Sequence, residues 1–460
     1  MKKIYIIVVL LMMGTMAEAQ TSVWNGKRKL WTNGEGTETS PYLIESAENL
    51  AFLSFMVNKG IDTKGLYFAL TTDIDLNGSE DQPWLPIGMG NRWFSDDGCD
   101  RIIDPTYKNN NFSGHFDGGG HSIYNLYVDS LDYAGLFGRI SCWYNEGATI
   151  ENINIESGYI HGKYCGSIAG ECDGVVDIAN CLNNAEIEGA EAAGGVVGRG
   201  GRTIRNCSNT GRITSTNVAG GIAGAQAKEI TECFNTGDIT VNGFAAGGIL
   251  GKKDGGQFVI VNCYNRGDIS GTATIGIGGI AGITTSNTTV IRNCYNVGVL
   301  TNNGGDCGGL FGHITSSQID NVYYLNTCGG SGPGTSKTAE EMRDPAFVGL
   351  LNHNTNVWGL DEDNINDGYP ILTGTLMTVD ESPYNMMSIY PNPVKDRLTL
   401  RFDDGTEPES VELYDLAGRL VGTKSNGLEN IDMSAMPSGV YLLRITMKNG
   451  TRYHERILKE

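Results

Sequence analysis

The side chains best suited to chemistry fall in two stretches of this 460-residue chain. Between Gly88 and Asn111 stand Asp96, Asp97, Asp100 and Asp104, with Arg92 and Arg101 among them. Two carboxylates about 5–9.5 Å apart could hydrolyse a glycosidic bond. The same acids could instead hold Ca²⁺ while an arginine accepts a proton in a lyase-type elimination. The plainer reading is a solvated loop. Trp84, Trp93, Phe94, Trp143 and Tyr144 lie in the same regions, and aromatic faces can stack on sugars. They are the candidate ligand contacts, with packing over the fold as the alternative. Asp73 and Asp75 in "TDIDL" and Asp117 in "FDGGG" read as residues of strands and turns.

Other catalytic signatures are missing. The chain has no G-x-S-x-G, no Walker A sequence and no H-E-x-x-H, and its six histidines are scattered. "GIGGIAG" (Gly276–Gly282) has the glycines of a dinucleotide loop but opens no helix. "DEDNINDG" (Asp361–Gly368) is acidic enough for calcium but departs from the EF-hand pattern at Ile365. No catalytic, cofactor-binding or metal residue is therefore assigned, and Ca²⁺ is the one cofactor kept open. Acidic residues outnumber basic ones by 53 to 33, for a net charge of −20. Repulsion from phosphates argues against nucleic acid as a partner.

What would position these residues is a repeat. Ile178-x-x-Cys181, Ile204-x-x-Cys207, Ile230-x-x-Cys233, Ile260-x-x-Cys263 and Ile291-x-x-Cys294 recur every 26 to 31 residues. An asparagine follows each cysteine by two positions (Asn183, Asn209, Asn235, Asn265, Asn296). A further apolar residue follows by six (Ile187, Ile213, Ile239, Ile269, Leu300). Each unit closes on a glycine-rich tail ending at Gly198, Gly224, Gly251, Gly282 or Gly312, and two earlier tails end at Gly138 and Gly170. Short β-type runs broken by glycine and asparagine, at this period, predict an all-β fold, a right-handed parallel β-helix solenoid. The cysteine column continues as Ile153 and Val322, so it reads as a buried apolar column of reduced thiols. The asparagine column reads as a ladder that satisfies backbone groups at a bend.

The tails "GLFG", "GIAG" and "GILG" resemble the GLUG motif of bacterial surface proteins and adhesin-like repeats. Upstream, "YFALTTDIDLNG" and "FSGHFDGGGHSIYNLYV" resemble the segment that precedes such repeats in secreted Bacteroidetes proteins. The resemblance implies a β-helical surface protein and no particular ligand.

Both ends of the solenoid need cover. Ser46 can cap a helix through about Lys59, and Thr338 with Glu341 has capping-box spacing ahead of Phe347, Val348, Leu350 and Leu351. Residues 1–19 read as a signal peptide, with Lys2 and Lys3, an apolar run and Ala17-Glu18-Ala19 before the cut. The plan is then a β-helix over 20–372, a linker over 373–386 and a small antiparallel β-sandwich over 387–460.

That last segment carries Tyr390-Pro391-Asn392-Pro393, Leu413-Tyr414-Asp415 followed by Gly418, and Pro437, Gly439 and Tyr441. In this order they resemble the C-terminal sorting domain of type IX secretion substrates. The resemblance implies export to the outer-membrane surface or the medium. It also implies the secretion machinery and its sortase-like protease as partners, and attachment to anionic lipopolysaccharide. Three functions stay open: a non-catalytic adhesin-like or glycan-binding protein of host or dietary glycans or surface proteins, a polysaccharide lyase or glycoside hydrolase, and a structural surface-layer component.

Overall fold

The computed structural model describes residues 21–90, 93–94, 100–101, 110–130, 132–143, 147–285, 288–305, 307–315, 317–352, 356–373, 387–390, 394–402, 408–415, 419–424, 430–448 and 452–459. The expected signal peptide and nearly all of the expected linker lie outside these ranges. The chain forms a parallel β-solenoid of about nine turns. Each full coil crosses three parallel sheets. In one repeat the first sheet takes Thr203–Arg205 and Ser208–Asn209, the second Ile213–Ser215 and Val218–Gly220, and the third Ala223–Ala225. Backbone hydrogen bonds run from coil to coil, as in Ser208 N to Cys181 O (2.9 Å) and Ile222 N to Ile249 O (3.0 Å).

Parallel register makes every inward column a stack of like residues. Ile178, Ile204, Ile230, Ile260, Ile291 and Ile319 pair in succession, as do Ile160, Ile187, Ile213, Ile239, Ile269 and Leu300. Cys294 pairs with Val322, which bears out the apolar reading of the cysteine column. Cys181, Cys207, Cys233, Cys263 and Cys294 are buried free thiols. Each Sγ faces the carbonyl two residues back, at 3.0–3.3 Å. Burial holds the thiols of Cys181, Cys233 and Cys263 well above their ordinary range, and a protonated buried thiol is inert.

The expected asparagine ladder is present and fully buried. Each Nδ2 donates to the next Oδ1, from Asn183 to Asn209, Asn235, Asn265 and Asn296, at 2.7–2.8 Å. The same Nδ2 groups also donate to the carbonyl two residues on, at 2.8–3.1 Å, which closes the bend. Gly195, Gly221, Gly248 and Gly279 lie flat against this ladder. A Cβ on Gly221 would stand 1.9 Å from Gly248 O and 2.5 Å from Asn235 Cβ. These tail glycines answer to close approach rather than to left-handed backbone.

A second ladder sits just before the cysteine column. Asn152, Asn180, Asn206, Glu232, Asn262, Asn293 and Asn321 all have φ between 52° and 57°. Asparagine is the side chain that best tolerates this region. Here the amides donate backwards, Asn180 to Asn152, Asn206 to Asn180, Asn293 to Asn262 and Asn321 to Asn293, at 2.7–3.0 Å. Glu232 interrupts it. A carboxylate has no N–H to give, and Asn206 Oδ1 is left buried without a partner.

Helix α1 (Ala47–Asn58) starts at Ser46, whose Oγ accepts from Asn49 N, and puts Leu50, Leu53 and Val57 into the solenoid core at its N-terminal end. Helices α2 (Ala339–Arg343) and α3 (Pro345–Asn352) follow the capping box of Thr338 and Glu341. They cover the last coils from the side, with Phe347 edge-on to Tyr323 at 4.9 Å and against Tyr295 at 6.1 Å. Tyr295 in turn stacks on Tyr264 (5.1 Å), and Tyr264 on Phe234 (5.0 Å).

The second compact unit holds residues 360–371 and the C-terminal tail. Two antiparallel sheets, of three and four strands, enclose Val394, Leu398, Leu400, Val411, Leu413, Met433, Tyr441, Leu443, Ile445 and Ile457. Tyr441 is placed by its hydroxyl, which donates to Pro437 O at 2.8 Å. Tyr414 donates to Glu412 (3.1 Å) and lies under Arg444, whose Nε also reaches Glu412 at 2.7 Å. These contacts explain several motif residues as anchors of the sandwich. Pro391, Asn392, Pro393 and Gly418 lie outside the described residues, and for Tyr390 and Asp415 only the strand is described.

Two substitutions separate the roles of column and ladder. Cys207→Val should cost less than about 1.5 kcal/mol, being near in volume. Gly221→Ala should cost about 3 kcal/mol or more, because backbone must move. Urea midpoints measure both, and alkylation under denaturing conditions should find the five column thiols free. Glu232→Asn should complete the second ladder and raise stability by about 1–2 kcal/mol. An unchanged or lower midpoint would show that the break is harmless.

Candidate binding face

The outer face of the third sheet gathers a set of charged and aromatic groups. Its outward column is the residue after each tail glycine: Arg139, Glu171, Arg199, Ala225, Lys252, Ile283 and His313, paired coil to coil. Glu171 is 8 % exposed and lies between two arginines, with Arg139 Nε at 2.8 Å and Arg199 Nη1 at 3.1 Å. Arg139 Nη2 also holds Asp173 at 2.7 Å. Tyr133 and Tyr164 stack at 5.8 Å along the adjoining bend, and Arg199 stands over the Tyr164 ring at 5.7 Å. Burial and the neighbouring Glu171 push the Tyr133 hydroxyl up to about 12.

The rim of this face carries Trp143, 72 % exposed. It follows the strand Phe137–Cys142, and a Cβ on Gly174 would stand 3.2 Å from its ring. Trp143 is therefore the candidate aromatic that does present itself to solvent. Trp84 does not: it is buried, its Nε1 donates to Leu136 O at 3.1 Å, and it packs edge-on to Trp24 at 5.6 Å. Expected among the ligand contacts, it is a core residue. Trp93 and Phe94 pair with Asp100 and Arg101 in a two-stranded antiparallel ribbon, of which only the backbone is described. Tyr144, Arg92, Asp96, Asp97 and Asp104 lie outside the described residues.

The remaining acids serve turns. Asp73 accepts from Ser122 N (3.0 Å), Asp75 from Asn77 N (2.7 Å), and Asp117 from Gly119 N and Asn152 Nδ2 (both 2.8 Å). Asp361 accepts from the amides of Ile365, Asn366 and Gly368 at 2.7–2.8 Å, so "DEDNINDG" closes on itself as a turn. Among the described residues no group of three or more His, Cys, Asp or Glu is arranged to hold a metal ion. One small cavity of about 100 Å³, lined by Lys29, Trp31, Glu45 and Asn49, is below the size of small-molecule pockets.

Sequence reasoning missed two outward sets. One is the column after the tail glycines, whose signal was the alternation in "FGRI", "AGEC", "VGRG" and "LGKK". The other, on the second sheet, pairs Tyr127 with Tyr159 (5.8 Å) and His161 with Asp129 (2.7 Å), while the Tyr159 hydroxyl donates to Glu188 at 2.7 Å.

Comparison with known proteins agrees with the architecture at both levels. Residues 189–214 match the GLUG motif, and residues 388–460 match the secretion system C-terminal sorting domain. The chain thus carries a GLUG motif within a parallel β-helix, together with a type IX sorting domain. It is exported through type IX secretion to the cell surface or the medium, and no described helix is long and apolar enough to cross a membrane. The chain is 28 % identical to halomucin of Haloquadratum walsbyi over 168 residues, 36 % of this chain and 2 % of that one. It is 28 % identical to the ulvan lyase of Nonlabens ulvanivorans over 113 residues, 24 % of this chain and 21 % of the lyase. The matches thus span a small part of either relative. A crystal structure of a candidate immunoglobulin A1 protease from Bacteroides ovatus superposes with a TM-score of 0.50 at 22 % identity, covering 75 % of this chain and 95 % of that one. At that identity the likeness is one of fold.

Deleting residues from Met387 onward should leave the protein in the periplasm with its solenoid folded, since the core and the helices that cover it lie upstream. Cell fractionation reads the outcome. Normal surface display of the truncated chain would overturn the sorting role of the tail.

Proposed function

We propose that this protein is a surface-displayed, non-catalytic binding protein for glycans, adhesin-like in role. The observation that carries the reading is Trp143, exposed just past the end of the strand Phe137–Cys142 at the rim of the charged face of the third sheet. An indole open to solvent at the edge of a scaffold suits stacking on a sugar ring, and Asp173 and Arg139 on the same sheet carry acceptors and donors suited to hydroxyls. The chemistry of the face favours binding over turnover. Glu171 is already engaged by two arginines, and a tyrosine at about 12 is far from the working pH of a general base. In this reading the secretion machinery's sortase-like protease removes the tail within the linker, and the solenoid is attached to anionic lipopolysaccharide or released.

The mature chain should bind glycans on an array without releasing product from them. Trp143→Ala should weaken that binding about tenfold while the solenoid stays folded, the loss expected for one stacking contact. New reducing ends or unsaturated sugars on incubation would sink the non-catalytic reading. Unchanged binding by the variant would move the site away from Trp143.

A further inference from the structure

We infer that the outer face of the third sheet binds a linear acidic polysaccharide, one bearing carboxylates or sulfates, laid along the solenoid axis. The inference rests on the glycan-binding reading and names its ligand class. In the outward column Arg139, Arg199, Lys252 and His313 occupy alternate coils, separated by Glu171, Ala225 and Ile283. Coils rise about 4.8 Å each, so these side chains recur at about 10 Å, on the scale of two sugar rings. Two of them repeat a pairing with an aromatic ring on the adjoining bend. Arg199 stands over Tyr164 at 5.7 Å and Lys252 over Phe244 at 4.9 Å. Lys163 also stands over Tyr164, at 5.4 Å. A cation beside an aromatic is what an acidic sugar asks for, charge for its anionic group and a ring for its apolar face.

The charge balance of the strip permits this. A chain at −20 repels polyanions in general, yet here Arg139, Arg199 and Lys252 meet only Glu171, Asp173 and Asp254. Lys163 on the adjoining bend lies level with Asp132 and Glu191 of the neighbouring coils, so the strip is close to neutral and does not share the full acidic excess, and salt screens charges beyond about 8 Å. Arg139 is held by both of its carboxylates, whereas the Arg199 side chain is 46 % exposed and uses one N–H donor on Glu171. A guanidinium carries five N–H donors, so Arg199 has capacity beyond this one bond. Nucleic acid fits the strip poorly, because strand phosphates every 3.4 Å are far denser than cations on every second coil.

The test uses the full mature chain on affinity gels containing polygalacturonate, dextran sulfate or neutral dextran. Polygalacturonate or dextran sulfate should retard the chain, and neutral dextran should not. The double variant Arg199→Gln, Lys252→Gln should lose about twentyfold in affinity, roughly fivefold per charge. Arg212→Gln, an equal type of charge change on the second sheet, should lose less than twofold, and circular dichroism should match for all three chains. Retardation by neutral dextran alone would overturn the acidic ligand and leave the glycan-binding reading standing. Equal losses in the Arg212 control would overturn the assigned face. Failure to bind any glycan on gels or array would remove both readings.

Discussion

The structure depends on the side-chain amide that reaches one coil further along. A coil of 26 to 31 residues cannot bury its own apolar face, so the bend that starts the next layer must be fixed in register. Asn183, Asn209, Asn235 and Asn265 do this with two bonds per amide, one along the axis and one across their own bend, and Asn296 closes the ladder with the second alone. These side chains are fully buried, so any amide that loses its partner leaves a buried polar group, which is costly. The ladder therefore holds as a whole, and the glycines that press against it have no room for a Cβ. The second ladder runs its donors the other way, so the first sheet is tied in both directions. Its left-handed backbone turns between the two strand segments of that sheet.

Given that frame, the outward positions are free to vary, and function follows from that freedom. Inward columns repeat isoleucine or cysteine because each residue packs on its own kind. The column after the tail glycines instead runs through arginine, glutamate, alanine, lysine, isoleucine and histidine on the same backbone geometry. A rigid scaffold then sets the spacing of charge without spending side-chain order on it, the arrangement that limits entropy loss on binding.

Much of this was legible in the sequence, for a physical reason. A parallel solenoid turns a contact in space into a spacing in sequence, so the cysteine column, its flanking Val322 and the asparagine ladder could be read directly. Helix α1 was equally plain, from Ser46 through Gly60. The second ladder was passed over because asparagine before cysteine looks like part of one motif. Only the φ values, and the odd Glu232, mark it as a separate device. Trp84 was misplaced because an aromatic near an insertion can point either way. Its indole N–H finds the Leu136 carbonyl 52 residues on, a pairing that no local pattern encodes. The charged face was hidden differently: Arg139, Glu171 and Arg199 are about 30 residues apart, and only the register shows that they meet.

Export places a further demand that the core answers. A protein bound for an oxidising compartment risks disulfides between any thiols exposed together. Nine described cysteines are buried free thiols. In the column each thiol faces the carbonyl two residues back, and at Cys181, Cys233 and Cys263 burial disfavours the thiolate that exchange requires. Once the coils are stacked, oxidation would need a coil to open and break both amide ladders. The same packing that lets cysteine stand in for valine thus protects it, and the solenoid needs no disulfide to hold its layers. The sorting tail has its own hydrophobic core, around Leu398, Leu413, Leu443 and Ile457. Losing it would take nothing from the amide ladders that hold the coils together.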